Sequence, residues 1–371
     1  MMLFLSKNFD EVVPKLYEKY DFSLNQLYHG LEYIGSEYEK IIEIYNHQIR
    51  RKYGFDTSHT YFDCTNFYFE IDREDDWRKK GPSKENREDP IVGLGLLLDA
   101  DQIPIDMKLF PGNESEKPVI RKVIDDLKHR NSVTGRTIQI ADKGLNCAEN
   151  IAHALRAGDG YIFSKSVKQL PETEKTWVLL QDDYKDVLDK KSEYGDCAKY
   201  VTFSSTDKDG NDTDEKVKVT LNQKLIDKSI ELAGYNMLIT SEISMSQEAV
   251  YNAYHNLWRI EESFRIIKSQ LDARPVYLQK KETITGHFLI CYIAVLLTRI
   301  FQFRIMKNSC SSESVFEFMH GFKLAEISSK KYINLTRDTP FINGLSELTN
   351  LPLTNYFLSE SDIKKMLSHR F

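Results

Sequence analysis

A chain of 371 residues with 41% hydrophobic and 29% charged residues, and only 17 Gly and 10 Pro, has the composition of an ordered globular protein and excludes a low-complexity or largely disordered one. Its length allows one main domain with an insertion, or two domains. The formal net charge of −6 argues against a uniformly basic surface, yet between Tyr251 and Cys310 nine Lys and Arg stand against four Asp and Glu, a local excess that suits phosphate contacts.

The five cysteines, Cys64, Cys147, Cys197, Cys291 and Cys310, are scattered, without the paired spacing of a zinc site or a disulfide framework, and a reducing cytoplasm is expected. The longest apolar run, Phe288 to Leu297, is shorter than the ~20 residues of a membrane span. The start, MMLFLSKNFDEVV, carries acidic residues and no small-residue cleavage site, so neither export nor a membrane partner is expected.

Residues 1–58 repeat apolar positions at helical period, with Ser23 placed to cap a helix and Gly54 to stop one. Thr60 to Ile71, rich in Tyr, Phe and Thr, reads as a strand with Asp63 inside it. The polar stretch Asp72 to Pro90 includes the basic tract WRKKGPSKENR. It is either a solvated loop or a phosphate-contacting one through Lys84 and Arg87. Two apolar runs, IVGLGLLLD and IPIDMKLF, joined by the turn-like DADQ, predict a hairpin.

An amphipathic helix is expected over Lys117–Arg130, then a strand over Arg136–Ala141 ending at Asp142, a helix over Asn146–Ala157 and a strand over Gly160–Ser164. From Val167 to Leu238 the short runs WVLLQDDY, AKYVTFSST and EKVKVTL predict a mostly β insertion. Helical period returns at Ser246, where Leu257, Ile260, Phe264, Ile267 and Leu271 form an apolar seam. On one continuous helix, Tyr254, Glu261 and Lys268 fall together on the flank of that seam. Further helices are expected in SVFEFMHGF and SDIKKMLSHRF.

The layout is therefore a helical segment (1–58), a core (59–166 and 241–310), an insertion (167–240) and a helical C-terminal segment (311–371). Its class is α/β: a ribonuclease-H-like core with a mixed sheet and flanking helices, interrupted by the β-rich insertion.

Three carboxylates stand out. An ionised Asp63 inside an aromatic strand is costly unless paired or metal-bound. Asp142, at the carboxyl end of an apolar strand, sits where α/β sheets place functional groups, although a turn-forming aspartate would look the same. Of Glu261 and Glu262, Glu261 shares a face with Tyr254 and Lys268 and is preferred. Such a trio can hold two Mg²⁺ ions for phosphodiester chemistry.

YFDCTNFYFE, GPSKENREDPIVGLGLLLDADQIPIDMKLFPGN, IQIADKGL and YHNLWRIEESFRIIK together resemble the DDE transposases of bacterial insertion sequences, in the group whose third carboxylate lies in a Tyr…Arg…Glu…Lys helix. The resemblance runs from about Ser23 to Arg304. It implies Asp63, Asp142 and Glu261 as catalytic and metal-binding residues, two Mg²⁺ ions with Mn²⁺ as a substitute, and Tyr254 and Lys268 as DNA contacts. Leu257 stands where the signature has Arg; Arg259 and Arg265 are the nearby cations expected at DNA instead. The implied activity is cleavage of DNA at element ends and strand transfer into target DNA, by a homodimer. The alternatives are a ribonuclease-H-like nuclease without strand transfer and, because only about sixty residues precede Asp63, a truncated DNA-binding remnant without catalysis.

Overall fold

The computed structural model describes residues 23–166, 201–206, 212–221, 223–232 and 235–369, apart from 86, 131, 132 and 134. In chain order these form α1 (Leu24–Ser36), α2 (Tyr38–Tyr53), β1 (His59–Tyr68), β2 (Ile91–Leu98), β3 (Pro104–Pro111), α3 (Lys117–His129), β4 (Ile138–Ala141), α4 (Ala148–Arg156) and β5 (Gly160–Lys165). They continue with β6 (Val201–Thr206), β7 (Asp212–Leu221), α5 (Gln223–Glu231), β8 (Met237–Thr240), α6 (Gln247–His255), α7 (Trp258–Arg265) and α8 (Lys281–Ile300). The C-terminal elements are α9 (Ser312–Gly321), β9 (Leu324–Ser328), β10 (Lys331–Asn334), α10 (Pro340–Thr349), β11 (Phe357–Ser359) and α11 (Glu360–Ser368).

The main sheet has the strand order β3-β2-β1-β4-β5-β8. β1 runs antiparallel to β2 and parallel to β4, and β2 runs antiparallel to β3. This mixed sheet with flanking helices is the ribonuclease-H-like fold expected from the sequence. Every residue of β2 is buried, which explains why its sequence, IVGLGLLL, is a continuous apolar run rather than an alternating one. Helix α3 buries Val119, Ile120, Val123, Ile124 and Leu127, and Arg130 just beyond its end reaches the buried Asp106 of β3 at 2.7 Å.

α8 is the core helix. Phe288 meets Phe67 of β1 with ring centroids 4.5 Å apart, and the Tyr292 hydroxyl donates to the Pro104 carbonyl at 3.2 Å. The continuous helical stretch Lys281–Ile305 is long and apolar enough to cross a membrane, but 72% of its apolar window is buried inside the protein. α1 lies along α8 at close range because each helix offers a glycine: a Cβ on Gly35 would run into the Glu282 carbonyl, and one on Gly286 into the Leu31 carbonyl.

The helical reading of the N-terminal segment holds from Ser23 onward. Ser23 and Gln26 form a capping box on α1, and Gly54, at φ 75°, ends α2. The first part of that segment, 1–22, lies outside the described residues.

By contacts the chain divides into two compact units, Met1–Ile162 with Ser241–Phe371, and Phe163–Thr240. In the second, the VTFSST part of AKYVTFSST and the run EKVKVTL lie in the antiparallel pair β6 and β7, while WVLLQDDY and residues 198–200 lie outside the described residues. The insertion also holds a helix, α5, that the strand-like reading did not contain; nine residues make too short a window for helical period to stand out among charges. The C-terminal segment, expected to be helical, also contains a three-stranded sheet, β11-β10-β9. Its strands of three to five residues are too short for a two-residue alternation to show in the sequence. Around them Met306, Ile342, Leu345, Leu351 and Leu353 make a separate small core.

Because the α1–α8 approach leaves no room for side chains at the crossing, Gly286→Val should destabilise the protein by at least about 1–3 kcal/mol. Gly30→Ala, in open space on the same α1, should stabilise it by about 0.5–1 kcal/mol. Urea midpoints of the two variants against the parent check both signs.

Candidate active site

The site starts from a strand register. β1 and β4 pair in parallel from His59↔Ile138 through Phe62↔Ala141, which makes Asp63 and Asp142 the next residues on neighbouring strands. Asp142 keeps extended backbone, at φ −74° and ψ 169°. Laterally paired residues of parallel strands project to the same face, so the two carboxylates stand side by side on one face of the sheet. Asp142 does not cap the short turn that follows it; its Oδ1 accepts a hydrogen bond from the Tyr254 hydroxyl at 3.2 Å.

Asp63 is mid-strand, opposite Leu96, and its Oδ1 accepts from the Cys64 N–H at 2.7 Å. Burial pushes its carboxyl up to about 6; the charges of Glu116 and Asp142 add to the rise, while the Lys84 ammonium and the Cys64 hydrogen bond oppose it. The Lys84 Nζ lies 3.8 Å from Asp63 and 3.7 Å from Glu116, and also donates to the Cys64 carbonyl. Burial works against the Lys84 charge, but Asp63 and Glu116 outweigh it and hold the ammonium above its ordinary range. Lys84, read from sequence as a DNA contact, is thus drawn in toward the carboxylates. Arg87 of the same tract instead pairs with Asp89 at 2.7 Å and lies 3.9 Å from the Tyr68 ring centroid.

The third carboxylate sits on an interrupted helix. α6 ends at His255, α7 begins at Trp258, and the turn Ile266–Gln270 is widened into a π-helix. The apolar seam survives these breaks, with Leu257, Ile260, Phe264, Ile267 and Leu271 all buried. The shared flank does not survive as a single grip. Tyr254 turns to Asp142, whereas the Lys268 Nζ pairs with Glu85 at 3.1 Å. A straight wheel of 100° per residue fails once the helix breaks and rewinds.

Glu261 and Glu262 are separated by their surroundings. Glu262 pairs with the buried Arg299 at 3.1 Å and accepts from Ser312 at 3.4 Å. Glu261 is exposed, on the same surface of α7 as Trp258 and Arg265. Preferring Glu261 is consistent with this division, since Glu262 is committed to the interior. Arg259 is half-buried, lying between the rings of Trp258 and Phe303 at 5.2 and 5.4 Å. Four residues of this neighbourhood escaped the sequence reading: Glu85, Glu116, Arg274 and Arg299. Glu85 had a signal as the one anion described within the cationic SKENR tract, and Arg274 and Arg299 belong to the basic excess of Tyr251 to Cys310; Glu116 had none.

The donor set fits a hard divalent cation: paired carboxylate oxygens, no thiolate or imidazole, and an ammonium already drawn to the spot. Among the described residues no group of three or more His, Cys, Asp and Glu stands close enough to hold a metal ion, so Glu261 is not gathered to the aspartates.

The family described as transposase DDE domain matches residues 54–297, about two thirds of the chain and the span that contains Asp63, Asp142 and Glu261. The chain belongs to the DDE transposase family. Two solved transposase structures are similar to this DDE protein. The cryo-EM structure of a piggyBac transposase synaptic complex with hairpin DNA has a TM-score of 0.38 and 11% identity, over 85% of this chain and 55% of that one. The crystal structure of a pre-cleavage Mos1 transpososome has a TM-score of 0.21 and 11% identity, over 72% and 63% respectively. The chain thus spans less than two thirds of either. No curated protein matches it in sequence.

Two outcomes follow from the site's energetics. Glu262→Ala leaves the Arg299 guanidinium buried without its carboxylate and should cost about 3–5 kcal/mol, whereas Glu261→Ala should stay within about 0.5 kcal/mol; thermal unfolding distinguishes them. The second concerns Asp63, whose folded pKa of about 6 lies above its ordinary 3.8. The folded chain therefore binds that proton more tightly than the unfolded one. Stability from this group is present below about pH 4 and is lost as the pH rises through about 6. In chelator, Asp63→Asn should flatten the stability profile across that window.

Proposed function

We propose that this DDE family member is the catalytic core of a transposase that cleaves DNA at element ends and joins the freed 3′-OH to target DNA. The observation that carries the proposal is the in-register pair Asp63 and Asp142 within the 54–297 family match. Asp63, Asp142 and Glu261 would hold Mg²⁺, or Mn²⁺ in its place, with Glu261 brought in on binding. When bound there, the ions would supply Lewis acidity to the scissile phosphate and lower the pKa of the attacking water or 3′-OH.

The chain's own residues do the rest. Tyr254 holds the Asp142 carboxylate by its hydroxyl, fixing the oxygen that accepts it and leaving the other for a ligand. Lys268, within the widened helical turn, carries a positive charge that burial depresses and Glu85 partly restores, as suits a group that must meet a phosphate with little water between them. Arg259, Arg265 and Arg87 contribute further backbone contacts, and Trp258 offers an exposed ring for an unstacked base beside Arg265. The protein acts in the cytoplasm as a homodimer on paired ends.

Asp63→Ala, Asp142→Ala and Glu261→Ala should each lower Mg²⁺-dependent cleavage of element-end DNA by about 10³-fold or more, with unchanged far-UV circular dichroism. Cleavage that persists in all three overturns the assignment. In a parallel reaction with a precut end, cleavage without joined product would reassign the chain as a nuclease of the same fold.

A further inference from the structure

The dipeptide Lys84–Glu85 puts two opposite charges into two opposite sites. The Lys84 ammonium stands between Asp63 and Glu116 at 3.8 and 3.7 Å. The Glu85 carboxylate accepts from Lys268 at 3.1 Å and from the Arg274 guanidinium, which converge on the same oxygen, Oε1. All three side chains of this second cluster are more than two thirds buried, at 25% exposure for Glu85, 15% for Lys268 and 31% for Arg274. A carboxylate oxygen held by a lysine and an arginine in partly desolvated surroundings has the coordination that a phosphodiester oxygen seeks. The cation beside Asp63 stands where a carboxylate pair would draw a metal ion.

We propose that Lys268 and Arg274 form a binding site for a DNA backbone phosphate, occupied in the DNA-free protein by Glu85, and that Lys84 fills the cation position in the same way. DNA and metal then enter by exchange. This rests on the reading that the Lys268 side of the cleft faces DNA; it adds Arg274 as a phosphate ligand and Glu85 as its internal competitor. Charge stays balanced through the exchange. The phosphate replaces Glu85 at the two cations, the metal replaces Lys84 at the carboxylates, and the two displaced neighbours carry opposite charges that can pair with each other. Lys84 and Glu85 therefore keep two part-buried clusters of like charges compensated until both ligands arrive, avoiding the cost of leaving them bare.

The test uses the full chain and a short random-sequence DNA duplex, followed by fluorescence anisotropy in chelator across a salt series. Glu85→Gln keeps the side-chain shape and removes the competing charge. It should tighten binding about tenfold at low salt and steepen the slope of log K against log salt by up to about 0.9 for each cation freed. Adding Arg274→Gln to that variant should reverse both changes. Equal or weaker binding by Glu85→Gln with an unchanged slope overturns the proposal, as does a double variant that binds as tightly as Glu85→Gln alone. In the chain without DNA, Lys84→Met should bind Mn²⁺ more tightly by calorimetry; unchanged or weaker binding overturns the cation half. Failure here alongside Asp63-dependent cleavage would remove the exchange and leave the transposase reading standing. The converse result would leave a DNA-phosphate site on a chain with no such catalysis.

Discussion

The parallel pairing of β1 with β4 is the constraint on which the rest of the site depends. Strand order alone brings Asp63 and Asp142 onto neighbouring strands, but register decides whether their side chains share a face. A slip of one residue would turn one of the two toward the opposite layer of the protein. The register is held by side chains at its start, where the Thr137 hydroxyl donates to that of Thr60 at 3.2 Å, and by the apolar burial of Tyr61, Phe62, Ile140 and Ala141. Core packing thus fixes a polar site at the point where the apolar run stops.

Placing two carboxylates side by side at the sheet creates an electrostatic debt that the surrounding loop settles. Asp63 is too buried to be solvated well, which is why its proton is held to about pH 6 and why an ammonium from a distant loop is drawn to it. The same loop meets the basic side of the cleft with Glu85. A second charged pair, Glu262 with Arg299, is different in kind: it lies in the interior between α7 and α8, with the Arg299 guanidinium also donating to the Arg259 carbonyl and to Ser263. It ties the helix bearing Glu261 to the core helix. Adjacent glutamates on one helix are thereby divided into a structural partner and a surface group.

Legibility from sequence followed the strength of local pattern. Ser23 and Gly54 bounded the first helical segment where expected, the two apolar runs around DADQ became a hairpin, and the burial of the Leu257-to-Leu271 seam followed its three-four spacing. Misses came where pattern was short or where the backbone departed from ideal geometry. The three short strands after Gly321 and the helix Gln223–Glu231 lacked enough residues for a period to emerge. Tyr254 and Lys268 share a face only on a single continuous helix, and they face different partners because the helix breaks at Asn256 and Leu257 and widens after Arg265.

By itself the sequence determined the mixed α/β class, the two strands that carry Asp63 and Asp142, and the DDE resemblance, because hydrophobic period and motif chemistry are local and survive in one dimension. Which side chain meets which could be decided only in three dimensions. That Lys84 turns inward to Asp63, that Glu85 joins Lys268 and Arg274 across nearly two hundred residues of chain, and that Glu262 rather than Glu261 is claimed by Arg299 are all long-range electrostatic choices. Coulomb energy depends on distance and burial, and neither is written in the order of residues.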